Sequence, residues 1–123
     1  MPMILTVDDS RAVRMMVKKA LSGLDVTVIE AENGKVGLEM VREKHPDLVL
    51  LDYNMPEMNG EEMLKAMRSD ATAVVRATQV VMLTTESMEN TVERLKAEGL
   101  SEYIIKPFKQ PDLLRKVRSL VHV

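Results

Sequence analysis

The sequence contains no cysteine. That removes a disulfide framework, a thiolate metal site and a cysteine nucleophile together. It has no excess of charge of one sign, since 17 Lys and Arg stand against 19 Asp and Glu for a net of −2. A chain held to nucleic acid or an anionic membrane by bulk charge would be clearly basic, so both are disfavoured as partners. Long apolar runs are missing too: Leu48–Leu51 and Val80–Leu83 are far too short to cross a bilayer. The N-terminus has no basic stretch and meets Asp8-Asp9 at once, which argues against a secretory signal. No linker, repeat or low-complexity segment interrupts the sequence.

What is present is globular. The chain has 123 residues, 46% apolar and 29% charged, enough for one domain with its own core. The expectation is a single cytoplasmic domain over residues 1–123, with no attached output domain and no membrane insertion.

Five short apolar runs, Met3–Val7, Val26–Ile29, Leu48–Leu51, Val80–Leu83 and Tyr103–Ile105, alternate with five stretches of helical period. The runs do not alternate polar with apolar, so both faces read as buried, as in parallel strands covered by helices. The first helical stretch puts Ala12, Val13, Met16, Val17, Ala20 and Leu21 on one face. The second carries Val36, Met40 and Val41, and the third Met63, Leu64 and Met67. Met88, Val92 and Leu95 mark the fourth; Leu113, Leu114, Val117, Leu120 and Val121 mark the fifth. Gly23 and Gly99 stand where helices end, and Pro46 stops the second helix. Pro111 and Asp112 suit the first turn of the last. The fold class is therefore α/β: a (βα)5 doubly wound parallel five-stranded sheet, with right-handed crossovers and helices on both faces.

Such sheets bind ligands beyond the carboxyl ends of their strands. There the first strand runs into Asp8-Asp9, the third into Asp52, the fourth into Thr84-Thr85 and the fifth into Lys106-Pro107. Three carboxylates against one ammonium leave an excess of negative charge that asks for a cation. With oxygen donors and no His or Cys nearby, a hard divalent ion fits, and Mg²⁺ best, because it keeps waters that a phosphate can replace. The set then has the parts of phosphoryl transfer: a carboxylate nucleophile, a metal, a Lys and a hydroxyl. Each group also has a plainer reading when taken alone. Asp8-Asp9-Ser10 caps a helix, Asp52 makes an Asx turn, Thr84 and Thr85 start a helix before Glu86, and Lys106 is a solvated side chain. A single site accounts for all four segments together. His45 and His122 lie away from this edge, at a turn and at the tail.

Asp8-Asp9, Asp52-Tyr-Asn-Met-Pro-Glu-Met-Asn-Gly60, Met-Leu-Thr84 and Tyr103-Ile-Ile-Lys106-Pro107-Phe108 resemble the receiver domain of two-component response regulators, most of all its stand-alone chemotaxis type. The resemblance covers essentially the whole chain and implies the flavodoxin-like strand order 2-1-3-4-5. It implies that Asp52 is the phosphoacceptor, with a sensor histidine kinase as phosphodonor. It also implies that Asp9 and Asp52 ligate Mg²⁺, that Asp8 helps through water, and that the backbone carbonyl of Asn54 completes the protein ligands. By the same likeness Lys106 and Thr84 hold the phosphoryl oxygens, Tyr103 changes rotamer in response, and Lys106-Pro107 is a cis peptide.

Phosphorylation adds charge and acceptor oxygens that can recruit Thr84 and Lys106, leaving space for the Tyr103 ring. Tyr103 has a second reading as a ring that covers the sheet edge. The 11 Met residues read first as adaptable core filler. Met88 and Ile104 are the side chains expected to face a partner, a downstream target on the surface of the fourth helical stretch, fifth strand and last helix. By the same resemblance three positions are expected to tune the phosphoryl lifetime: Asn54 and Glu86, which look like the pair of fast-cycling chemotaxis members, and Thr85, a bulkier residue expected to narrow access and slow dephosphorylation. Leu100 departs from the alanine more usual after the glycine. The protein is expected to be a monomer or weak dimer and, beyond its own phosphorylation and dephosphorylation, not an enzyme.

Three other functions remain open. A phosphorelay intermediary would pass its phosphate to a histidine phosphotransfer protein by the same chemistry. A Mg²⁺-dependent phosphohydrolase would want a second carboxylate where Asn54 stands, and a cap segment. A flavodoxin-like cofactor protein would want a hydroxyl- and glycine-rich first loop, which the sequence lacks.

Overall fold

The computed structural model describes residues 1–85 and 89–122. Its strands are β1 (Met3–Val7), β2 (Thr27–Ala31), β3 (Leu48–Asp52), β4 (Gln79–Thr84) and β5 (Glu102–Ile105). The helices are α1 (Arg11–Leu21), α2 (Gly34–Lys44), α3 (Gly60–Arg68), α4 (Ala73–Arg76), α5 (Glu89–Ala97) and α6 (Gln110–Leu120). The strands pair in the order β2-β1-β3-β4-β5, parallel throughout. Among the described residues no helix is long and apolar enough to cross a membrane.

β3 is central and buried along its whole length. Its successive side chains go to opposite faces, as pleating requires. Leu48 and Leu50 join Ile4, Val81 and Leu83 beneath Val17 and Leu21 of α1 and Leu113 and Val117 of α6. Val49 and Leu51 join Leu5, Val7 and Met82 beneath Val41 of α2, Met63 and Leu64 of α3 and Leu95 of α5. Cutting one of these leucines back to alanine costs roughly 2–5 kcal/mol.

Local chemistry sets the helix starts. Ser10 Oγ accepts from the Val13 N–H at 3.3 Å, and Asn33 Oδ1 from the Val36 N–H at 2.8 Å. Asn59 and Glu62 form a reciprocal capping box at 2.9 and 3.0 Å, which fixes where α3 leaves the loop after β3. Glycine marks one helix end of the two expected. Gly99 is left-handed at φ 94°, whereas α1 stops at Ser22, whose hydroxyl and N–H both donate to the Lys19 carbonyl. α2 ends on a left-handed His45 just before Pro46.

Several expectations are corrected. α4 was not anticipated; four residues show no period, and it holds on through the fully buried Val75. Ala12 is exposed because the buried stripe of α1 runs through Val17, Ala20 and Leu21. Ile104 does not face outward: it is 7% exposed, and the alternation of β5 turns Ile105 out instead, at 41%. Met88 lies outside the described residues. Leu100 is buried, and its N–H closes the end of α5 on the Leu95 carbonyl at 3.0 Å. Arg68 braces this side of the molecule, donating from Nε and one Nη to Gly99 O and from the other Nη to Arg76 O.

Candidate functional site

Strand register brings the polar residues to one edge. Val7 pairs with both Ala31 and Leu51, Asp52 with Leu83, and Thr84 with Ile105. Asp8 therefore stands one residue past β1, level with Asp52 at the end of β3, while Thr84 ends β4 one step further on and Lys106 follows β5 one step beyond that. Backbone bonds lock each step: Asp8 N–H to Ala31 O at 3.1 Å, Tyr53 N–H to Leu83 O at 2.8 Å, and Lys106 N–H to Thr84 O at 2.7 Å. The Lys106-Pro107 peptide is cis.

The carboxylates of Asp8, Asp9 and Asp52 each offer an oxygen within 4.8 Å of the others. Asp8 and Asp52 are 1% and 4% exposed, while Asp9 faces solvent. Lys106 Nζ donates to Asp52 Oδ1 at 2.9 Å and to Asp8 Oδ2 at 3.3 Å. The other Asp8 oxygen accepts from the Ser10 N–H at 2.9 Å, so Asp8 forms an Asx turn and belongs to the cluster as well. The helix cap is Ser10.

Burial pushes the Asp52 carboxyl up, the charges of Asp8 and Asp9 push the same way, and Lys106 opposes them. Burial alone would lower the Lys106 ammonium, but its bond to Asp52 and the charge of Asp8 outweigh that, and its pKa rises. For Asp52 burial leads and the neighbouring carboxylates add to it, whereas for Lys106 the carboxylates prevail over burial. Oxygen donors alone, close together and under-neutralised, suit a hard divalent cation.

Thr84 is buried at the same edge, at 2% exposure. Thr85 is exposed and, with Val13, Met16, Lys106, Pro107 and Phe108, lines an apolar groove of about 260 Å³. Asn54 is exposed in the loop after β3. Tyr103 is half-buried against the core, with Lys96 Nζ 5.8 Å from its ring centre, and borders a groove of about 690 Å³ along β5 and α6. Glu86 lies outside the described residues.

Two supporting features went unread in the sequence. Arg14 donates to the Asp8 carbonyl and pairs with Glu30 at 3.1 Å, which holds the first acidic loop from below. Glu61 and Arg94 make a forked ion pair beside Tyr53. Neither partner is close in sequence, so no local pattern marks them.

A doubly wound sheet with an acidic crevice and a lysine beyond its strand ends defines a class, the open α/β proteins whose ligands bind beyond the carboxyl ends of the strands. Within it, the family model of the response regulator receiver domain matches residues 4–118, and the chain belongs to that family. Chemotaxis protein CheY1 of Helicobacter pylori is 37% identical over 120 residues, 96% of this chain and 94% of that protein. The crystallised chemotaxis protein CheY4 of Vibrio cholerae superposes with a TM-score of 0.90 at 32% identity, covering 98% of this chain and 99% of that one. The regulatory protein AtoC of Escherichia coli is 39% identical over 110 residues, but the chain spans only 23% of its length.

Proposed function

We propose that the chain is a phospho-accepting signalling switch, a cytoplasmic single-domain receiver that takes a phosphoryl group on Asp52 and so changes its affinity for a partner. The observation that carries this is the contact of Lys106 Nζ with Asp52 Oδ1 at 2.9 Å inside a cluster of three carboxylates. An oxygen of Asp52 attacks phosphorus, the P–N bond of a phosphohistidine or the P–O bond of an acyl phosphate breaks, and the donor leaves with the electron pair. The product is an acyl phosphate on Asp52, which water later returns to carboxylate and inorganic phosphate.

Asp8, Asp9, Asp52 and the Asn54 carbonyl would hold Mg²⁺, which when bound supplies positive charge against the phosphoryl oxygens. Lys106 gives up its bond to Asp52 and pairs with one of those oxygens, and Thr84 donates to another. The Tyr103 ring then takes the space that Thr84 leaves. Asn54, Thr85 and Glu86 set the lifetime of the acyl phosphate. The donor is a sensor histidine kinase, and the listener docks on the face of α5, β5 and α6, where Tyr103 and the exposed Ile105 meet the larger groove. The protein works as a monomer or weak dimer.

Intact mass after incubation with acetyl phosphate, with and without Mg²⁺, tests the core of this reading. One added phosphoryl group is expected on the wild type with Mg²⁺ alone, and none on Asp52→Ala. A stoichiometric adduct on Asp52→Ala, or none on the wild type, would overturn it.

A further inference from the structure

Beside the acceptor, a polar network joins α3 to α5. Glu61, in the first turn of α3, accepts from Arg94 of α5 through Nε at 2.8 Å and Nη2 at 2.9 Å. Tyr53, the residue after Asp52, brings its hydroxyl to 3.4 Å from both Glu61 Oε1 and Arg94 Nη2. One turn along α3, Lys65 Nζ lies 3.9 Å from Glu61 and 3.4 Å from Glu98, just past the end of α5. A forked guanidinium–carboxylate pair is directional, so it fixes the position of α5 as well as attracting it.

Two facts make that restraint matter. Among its described side chains α5 fully buries only Thr91 and Leu95, so apolar packing holds it lightly. Tyr53 is pinned at both backbone ends, its N–H on Leu83 O at 2.8 Å and its carbonyl under the Gly60 N–H at 2.9 Å. The network thus ties a lightly held helix to the rigid loop that carries the acceptor. It is formed while Lys106 bridges Asp52 and Asp8, the arrangement of an unmodified acceptor.

We propose that the Glu61–Arg94 pair, with Tyr53, is a latch that holds α5 in its unphosphorylated position and so opposes occupation of Asp52. The proposal rests on Asp52 being the phosphoacceptor. α5 is the helix that follows Thr84 in the chain, so drawing Thr84 toward a phosphoryl group is coupled to the position of α5. Whatever favours the resting position of α5 is then subtracted from the affinity for a phosphoryl group, by linkage.

The test is calorimetric titration of beryllofluoride in the presence of Mg²⁺ into wild type, Arg94→Met, Glu61→Gln and the double variant. Each single substitution is expected to tighten binding about two- to fivefold, the range of a partly exposed ion pair. The double variant should bind no more tightly than either single one, because both remove the same contact. Hydrogen exchange in α5 of the free protein should be faster in Arg94→Met. Unchanged affinity in both single variants, or additive effects in the double, would sink the latch while leaving the acceptor in place. Failure of the wild type to bind beryllofluoride would remove the acceptor reading, and the latch with it. Arg94 is half exposed, so its substitution spares the core, and Tyr53→Phe supplies a milder variant that should tighten binding in the same direction.

Discussion

Gly60 carries the acceptor loop into α3, and its N–H returns to the Tyr53 carbonyl at 2.9 Å. A Cβ at this position would stand 2.6 Å from the Asp52 carbonyl oxygen, 2.7 Å from Met82 Sδ and 2.9 Å from Tyr53 Cα. Two of those three atoms are backbone of the strand and loop that carry the acceptor, and they cannot swing aside as a side chain would. Alanine is the better helix former by up to about 1 kcal/mol. Gly60→Ala is nonetheless expected to lower stability by about 1–3 kcal/mol, the usual cost of overpacking, and to slow Mg²⁺-dependent labelling of Asp52 by acetyl phosphate. Urea unfolding measures the first effect and the growth of the adduct mass the second; a variant more stable than wild type would refute the steric account. Asp8, Asp52, Thr84 and Lys106 were legible because each follows the last apolar residue of a strand, with Asp9 next after Asp8, and parallel pairing sends strand ends to one edge. The constraint on Gly60 was not, since it comes from the folded path of its own loop, which sets the Asp52 and Tyr53 backbone against it, and from Met82 on another strand. Ile104 was misread for a related reason: on a four-residue edge strand, one step in the alternation exchanges the inward and outward side chains.

Helices differ in how they are held, and α5 leans on charge. Hydrogen bonds from Arg94, with help from Glu98 and Lys65, hold the Glu61 carboxyl down to about 2 against the partial burial that would raise it. The Arg94 guanidinium is pushed up in return. A carboxyl whose folded pKa lies below its ordinary value of 4.5 stabilises the fold fully above about pH 4.5 and loses that contribution as pH falls toward about 2. The stability difference between wild type and Glu61→Gln should therefore be flat from about pH 7 to pH 5 and shrink as pH drops below about 4.5. Urea midpoints of both proteins across that range check it, and a difference that grew on acidification would contradict the assignment. Strands and long helices could be read from periodicity, but this tie could not, because Glu61 and Arg94 are 33 positions apart. The buried face of α2 shows another limit of period counting. It approaches the sheet through Gly37, where a Cβ would lie 2.9 Å from Val7, so Val36 and Met40 ride at the edge of the contact.

The acid cluster exists only because the whole molecule is folded. Asp8 and Asp9 follow β1, Asp52 ends β3, and Lys106 follows β5, so their separation in space depends on the order β2-β1-β3-β4-β5. Three close carboxylates with a single ammonium between two of them oppose that fold in the absence of a cation, and an unfolded chain, with the groups apart, feels no such repulsion. Cation binding should therefore appear as global stability. A ligand that binds only the folded state contributes about 2.7 kcal/mol when its concentration is a hundred times its dissociation constant. Wild type should gain stability steadily as Mg²⁺ replaces EDTA, with the gain rising as the logarithm of concentration once the site fills. Asp9→Ala should show little of this gain. Asp52→Asn should start from a higher midpoint than wild type without metal, by on the order of 1 kcal/mol, because the substitution removes one of the crowded charges. The same variant should then gain less on adding Mg²⁺, so the two curves converge or cross. Chemical denaturation at a series of Mg²⁺ concentrations, at constant ionic strength, separates this from general screening. Equal gains in all three proteins would mean that the ion acts on the surface at large and that the crevice plays no part in holding it.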